Sequence, residues 1–119
     1  MPQNRNKLID LFIGNISTAI THEILIEAIK DNSKEIADHY QKEAENAVNI
    51  SKKYREKINP INAPLPSKDI SYIRTKIINK IKIELMNRIS KGYKNIDLNL
   101  INELVDKTLK NAGIIWKQI

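Results

Sequence analysis

Lys76, Lys80, Asn87, Lys91 and Lys94 lie at offsets of 0, 4, 11, 15 and 18 residues. An α-helix turns about 100° per residue, so those offsets fall within one narrow arc. Four amines and one amide then form a ridge. Such a ridge suits a polyanion, because each amine neutralises a phosphate and releases its counterion. Lysine is a flexible point charge that reads bases poorly. DNA or RNA bound here would show weak sequence preference and steep salt dependence. Only Tyr72 and Tyr93 within the segment offer rings for base stacking. No homeodomain, zinc-finger or RNP pattern accompanies them.

The ridge occupies the one electrically unbalanced part of the chain. Ser67 to Lys94 holds eight basic residues and two acidic ones, so it carries the whole +6 of the 119-residue protein. A localised basic surface attracts nucleic acid, anionic membrane or acidic protein. The competing explanation is a solvated face with a lysine surplus. The chain has 23 Ile, 16 Lys and 14 Asn, residues that share A- and T-rich codons. Codon bias raises lysine everywhere, however, and does not by itself confine the imbalance to one stretch. Arg74 and Arg88 project towards the apolar seam instead of the ridge. They are expected to lay their stems on the core edge and reach carboxylates, Glu84 for Arg88 and an acid on another helix for Arg74.

The remaining reactive side chains are few. His22, Glu23 and Glu27, then Glu35, Asp38, His39 and Glu43, flank the expected turn between the first two helices. Bundle metal sites use Glu-x-x-His pairs on two helices, and that spacing is absent. Helical nucleotide pyrophosphohydrolases hold magnesium with clustered acids. Glu23, Glu27, Glu35 and Asp38 share only composition with such sites; a solvated face balanced by Lys30, Lys34 and Lys42 accounts for them. There is no cysteine, no glycine-rich phosphate loop and no Gly-x-Ser-x-Gly turn. No catalytic residue, metal ligand or cofactor is assigned.

These side chains need helices to position them, and the sequence supplies four. Ile9, Phe12, Ile13, Ile16, Ile20 and Ile24 form a broad stripe over about 4–30. Leu25, Ile26, Ala28 and Ile29 spread it nearly round the helix. A helix apolar on several sides is either central in the fold or shared with a second subunit. Gly14-Asn15 is a possible kink. Asn32 caps a second helix over 33–58, whose seam is Ile36, Tyr40, Ala44, Ala47, Ser51, Tyr54 and Ile58. Small residues at its middle let a neighbour approach closely. Three prolines make 59–66 a linker. Ser67 caps a third helix over 67–91, with Ile70, Ile73, Ile77, Ile81, Leu85 and Ile89 as seam and Gly92 as terminator. Asp97 caps a fourth over 97–118, with Leu98, Ile101, Val105, Thr108 and Ala112 in its seam, continuing past Gly113.

The expected fold is therefore all-α: a single-domain, antiparallel four-helix bundle. The apolar window from Leu8 to Ile29 contains Asp10, His22 and Glu23, which makes it a poor membrane span. Absence of cysteine fits a cytoplasmic setting. Ile115, Trp116 and Ile119 place the only tryptophan at the chain end, either docked on the fold or anchoring a partner. The first functional expectation is a small non-catalytic interaction or accessory protein that works through helix faces and is able to self-associate. Its partner is a protein or a second copy, not a membrane. The alternative is a nucleic-acid-binding module using the lysine ridge, and a third is a metal-dependent hydrolase using the acidic cluster.

Overall fold

The structure, a computed structural model, describes residues 5–29, 33–58 and 65–112. Four helices account for most of them: α1 (Arg5–Ile29), α2 (Lys34–Ile58), α3 (Ser67–Ser90) and α4 (Leu100–Asn111). No strand occurs among the described residues.

The fold is built around α1. Phe12, Ile13, Ile16, Ile20, Ile24 and Leu25 are buried, and α1 packs on each of the other three helices. Its apolar surface on several sides therefore has a cause inside one chain: it is central. By length and composition α1 is apolar enough to cross a membrane, but its Ile and Leu side chains are used in this packing. The helix runs unbroken through Gly14-Asn15, where Asn15 Nδ2 donates to the Leu11 carbonyl at 2.9 Å.

α2 lies along α1 with its small residues inward. Ala44, Ala47 and Ser51 are buried, which allows the close approach their spacing predicts. Ile36, placed first in that seam, is exposed. It sits in the opening turn, ahead of Ala37, the first buried residue of α2. The described N-cap is Ser33, whose Oγ accepts from Ile36 N–H at 3.4 Å; Asn32 lies outside the described residues.

α3 runs parallel to α1. Arg5 Nη2 meets Asp69 Oδ2 at 2.6 Å at one end, and Tyr72 O–H donates to Asp10 Oδ1 at 3.3 Å one turn on. α3 and α4 are antiparallel, with Arg74 near the start of one gripping Asp106 in the later half of the other. Ile73, Ile77, Ile81 and Leu85 of α3 and Ile101, Val105 and Leu109 of α4 complete the core. Neither α3 nor α4 brings its backbone against α2. α1 is thus flanked rather than enclosed, and one side of it stays open between α2 and α3.

Helix ends depart from expectation in instructive ways. Ser67 does not cap α3. Pro66 is the N-cap, its carbonyl accepting from Asp69 and Ile70 N–H at 3.0 and 3.1 Å, and no side chain bonds there. Leu65 and Ile70, the positions flanking that first turn, both join the core, a hydrophobic staple that fixes the entry without a polar cap. α4 begins at Leu100, not at 97. Asp97 Oδ1 accepts from Asn99 N–H at 2.9 Å, and this local turn delays the helix. α4 is described to Asn111, with Ala112 as its C-cap; Gly113 to Ile119, including Ile115, Trp116 and Ile119 and the expected continuation past Gly113 to 118, lie outside the described residues. Ile89 and Leu98 are exposed, because α3 is about to end and α4 has not begun.

Arg55 was not legible in the sequence as a core residue. It is 1% exposed, and its Nε donates to the Ala112 carbonyl at 3.1 Å. A guanidinium there faces the negative end of the α4 dipole and satisfies a terminal carbonyl. Burial lowers its pKa.

Gly92 ends α3 as expected. Its φ is +103°, with Gly92 N–H on the Ile89 carbonyl at 3.0 Å and Tyr93 N–H on the Arg88 carbonyl at 3.1 Å. This is a Schellman motif. Gly92→Ala should cost about 1 kcal/mol through the left-handed backbone alone, since no atom lies within 4 Å of the added carbon. Gly14→Ala should do the opposite, gaining up to about 1 kcal/mol of helix propensity in equally open space. Urea unfolding of the two variants checks the opposite signs.

Candidate functional site on the outer face of the third helix

The lysine ridge exists in part. Lys76, Lys80 and Asn87 are exposed on α3, and Lys91 is its C-cap residue. Lys94 does not extend the ridge. The left-handed backbone at Gly92 ends the helix before it, so its eighteen-residue offset no longer sets its direction. Lys76, Lys80, Lys91 and Lys94 form no salt bridge among the described residues. Both arginines of the segment, by contrast, are engaged. Arg74 holds Asp106 through Nε at 2.7 Å and Nη2 at 3.2 Å. Arg88 Nε donates to Glu84 Oε2 at 2.9 Å, and Nη1 donates to Tyr40 Oη at 3.4 Å. The surplus charge of the segment is carried outward by lysine.

A large apolar side chain, Ile83, stands among these amines, and Met86 is exposed farther round the helix. Ile83 is 70% exposed and Met86 58%. Ile83 stands seven residues from Lys76 and four before Asn87, on the ridge itself. The signal was present: Ile83 follows Ile81 by two, a step that no single helix seam accommodates. Tyr72 and Tyr93 are exposed but occupied. The Lys76 amine lies 5.7 Å from the Tyr72 ring centroid, and the Arg88 guanidinium 5.5 Å from that of Tyr93. Each ring already has a cation on it.

At the far end of α1 a polar cluster joins three helices. His22 of α1 stacks on Tyr40 of α2 with ring centroids 5.0 Å apart. Glu43 lies between two imidazoles, with Oε2 3.4 Å from His22 Nε2 and Oε1 2.8 Å from His39 Nε2. His22 is 9% exposed and its Nδ1 has no partner. Burial lowers its pKa; Glu43 and Glu84 pull the other way, while Arg88 and His39 oppose the imidazolium. The acidic residues weighed as a magnesium site do not converge. Glu27, Glu35 and Asp38 are exposed, and Glu23 is half-buried between α1 and α2, where burial raises its pKa against the pull of Lys107. No group of three or more His, Asp or Glu among the described residues is arranged to hold a metal ion.

Against protein-family models, curated proteins and solved structures, the chain finds no match. Its function must be argued from its own geometry.

The buried imidazole gives a signed pH dependence. A lowered folded-state pKa means that the unfolded chain takes up the proton first. Stability is then full above the ordinary value of 6.5 and falls as the pH drops below it. Ordinary carboxylates titrate near about 4, below the interval from 6.5 to roughly 5, but burial pushes Glu23 up towards it, so the substitution rather than the interval isolates His22. Between those limits His22→Gln should flatten the fall in urea-unfolding stability seen in the parent chain. An equal slope in both proteins would remove His22 as its source.

Proposed function

We propose that this chain is a non-catalytic interaction protein that captures an anionic partner on the exposed face of α3. The observation carrying the reading is the set of amines at Lys76, Lys80 and Lys91, without a carboxylate partner among the described residues, around solvent-exposed Ile83; exposed Met86 stands farther round the helix, about 80° from Lys76. Surface lysines alone are ordinary. Lysines around a large exposed apolar group offer a partner both steering charge and buried area. Fully covering a side chain of this size is worth about 1.5–3 kcal/mol.

A protein partner is favoured over nucleic acid. Phosphates gain nothing from Ile83 or Met86, and the rings of Tyr72 and Tyr93 are already engaged by cations. Nucleic acid stays as the second reading because the amines share one ridge. A second copy of the chain is less favoured for this face, since it would bring the same surplus cations against themselves. The breadth of α1 offers no separate argument for self-association, as the chain covers that surface itself.

Mobility and anisotropy measurements with polyglutamate and with generic duplex DNA, at low and moderate salt, test the proposal. Polyglutamate should bind in a salt-sensitive way, and Lys76→Glu/Lys80→Glu/Lys91→Glu should lose it. DNA binding that exceeds polyglutamate binding, with a log–log salt slope of roughly −3 for three phosphate contacts, would favour the second reading. No binding at low salt, or binding indifferent to the triple substitution, removes the face as a functional surface.

A further inference from the structure

Beside the lysine ridge, the parallel helices α1 and α3 leave a furrow of successive clefts, crossed between the first two by the Tyr72–Asp10 hydrogen bond. It consists of three clefts in series. The first, about 500 Å³, lies between Asn6, Asp10, Lys68, Asp69 and Tyr72. The second, about 320 Å³, shares Asp10 and Tyr72 with it and adds Ile13, Lys76 and Lys80. The third, about 620 Å³, shares Lys80 and runs past Gly14, Thr18 and Ile83 to His22, Glu84 and Arg88. From Asn6 to His22 is about 24 Å along the helix axis, at roughly 1.5 Å per residue. The contact between Arg88 and Tyr40, with His22 stacked on the same ring, closes the far end.

The lining has a distinct chemistry. Gly14 leaves its floor open, with no atom within 4 Å of where a Cβ would stand. Ser17, 6% exposed, lines the third cleft, and its Oγ has no hydrogen-bond partner. The α3 side carries unpaired Lys76 and Lys80 and the protruding Ile83. The furrow also follows the side of α1 on which the α2 and α3 backbones stay apart, bridged only at its far end by Arg88 and Tyr40 among the described contacts.

Resting on the reading of α3 as a docking face, we infer that this furrow receives an acidic amphipathic α-helix from a partner protein. Charge complementarity selects acid: of the lining carboxylates, Asp69 is held by Arg5, Glu84 by Arg88, and Asp10 accepts from Tyr72, whereas Lys76 and Lys80 have no carboxylate partner among the described residues. A helix is selected over an extended peptide because the furrow walls are helices with no free backbone edge to pair a strand; a helix brings its own backbone satisfied. The small floor at Gly14, Ser17 and Thr18 admits a helix closely. Ile83 then meets the apolar stripe of the guest, and the lysines meet its acidic flank. A flat anionic bilayer fits a concave polar floor poorly, and a phosphate backbone leaves Ile83 unmatched.

Fluorescence anisotropy on the full chain tests this with labelled peptides of about 16 residues, the length of the furrow. One peptide is a Glu/Ala/Leu amphipathic helix. A second has the same composition in scrambled order, and a third replaces Glu with Lys. A short DNA duplex and phosphatidylglycerol vesicles are the other probes. Alongside the parent chain stand Lys76→Glu/Lys80→Glu, Thr18→Trp and Ile83→Ser. Thr18 and Ile83 are exposed, so neither change should unfold the protein, and circular dichroism checks this. The amphipathic acidic peptide should bind roughly ten-fold or more tighter than the scrambled one, and each variant should weaken it by a comparable factor. Equal binding of ordered and scrambled peptides, indifferent to Thr18→Trp and Ile83→Ser but lost in Lys76→Glu/Lys80→Glu, overturns the furrow while leaving the basic face as the docking surface. Tighter binding of duplex or vesicles than of every peptide overturns the partner class. Silence from all probes overturns both the furrow and the face.

Discussion

Everything else in the structure depends on the burial of α1. Its stripe of Phe12, Ile13, Ile16, Ile20, Ile24 and Leu25 is too wide for one neighbour to cover, so it recruits three. α2 answers with Ala44, Ala47 and Ser51, which bring its backbone close. α3 and α4 answer with Ile and Leu rows of their own. A chain with a single Phe and a single Trp builds its core from branched aliphatics in this way. Once three helices are placed around α1, their outer faces are free to carry charge, and the side of α1 between α2 and α3 is left uncovered.

That arrangement separates the basic residues of the third segment into two kinds. Arg74 and Arg88 sit at the edge of the core, where a planar fork can hold a carboxylate and also lay its stem on apolar surface. The lysines stand outside, unmatched. The division follows from side-chain chemistry, since an arginine tolerates partial burial beside an acid and a lysine amine seeks water. Arg74–Asp106 therefore ties α3 to α4, Arg88 is held within α3 by Glu84 and reaches Tyr40 of α2, and Lys76, Lys80 and Lys91 remain available to another molecule.

The four helices were legible because 3.6-residue periodicity is strong in an Ile-rich chain and because Pro and Gly92 punctuate it. Partner choice for Arg88 was legible because Glu84 is local; for Arg74 only the need for an acid on another helix could be read, and Asp106 supplied it. Three things were hidden. Arg55 reads as a solvated charge until the end of α4 is brought over it. The staple of Leu65 and Ile70 stands in place of the polar cap expected of Ser67, because apolar contact at a helix entry does not depend on the N-cap side chain. The furrow is a property of the parallel helices α1 and α3 and of an α2 backbone that stays clear of α3, which no single segment encodes. Sequence also placed Lys94 on the ridge by counting through Gly92, where the left-handed backbone resets direction.

Native-state hydrogen exchange on the full chain tests the central position of α1 most directly. The account predicts that amides from Phe12 to Leu25 exchange slowest and only through global unfolding, with α2 and the ends of α4 opening at lower free energy. Amides of α1 exchanging as fast as those of α2 would contradict it, since a helix packed on by three neighbours cannot open before one whose backbone packs on it alone.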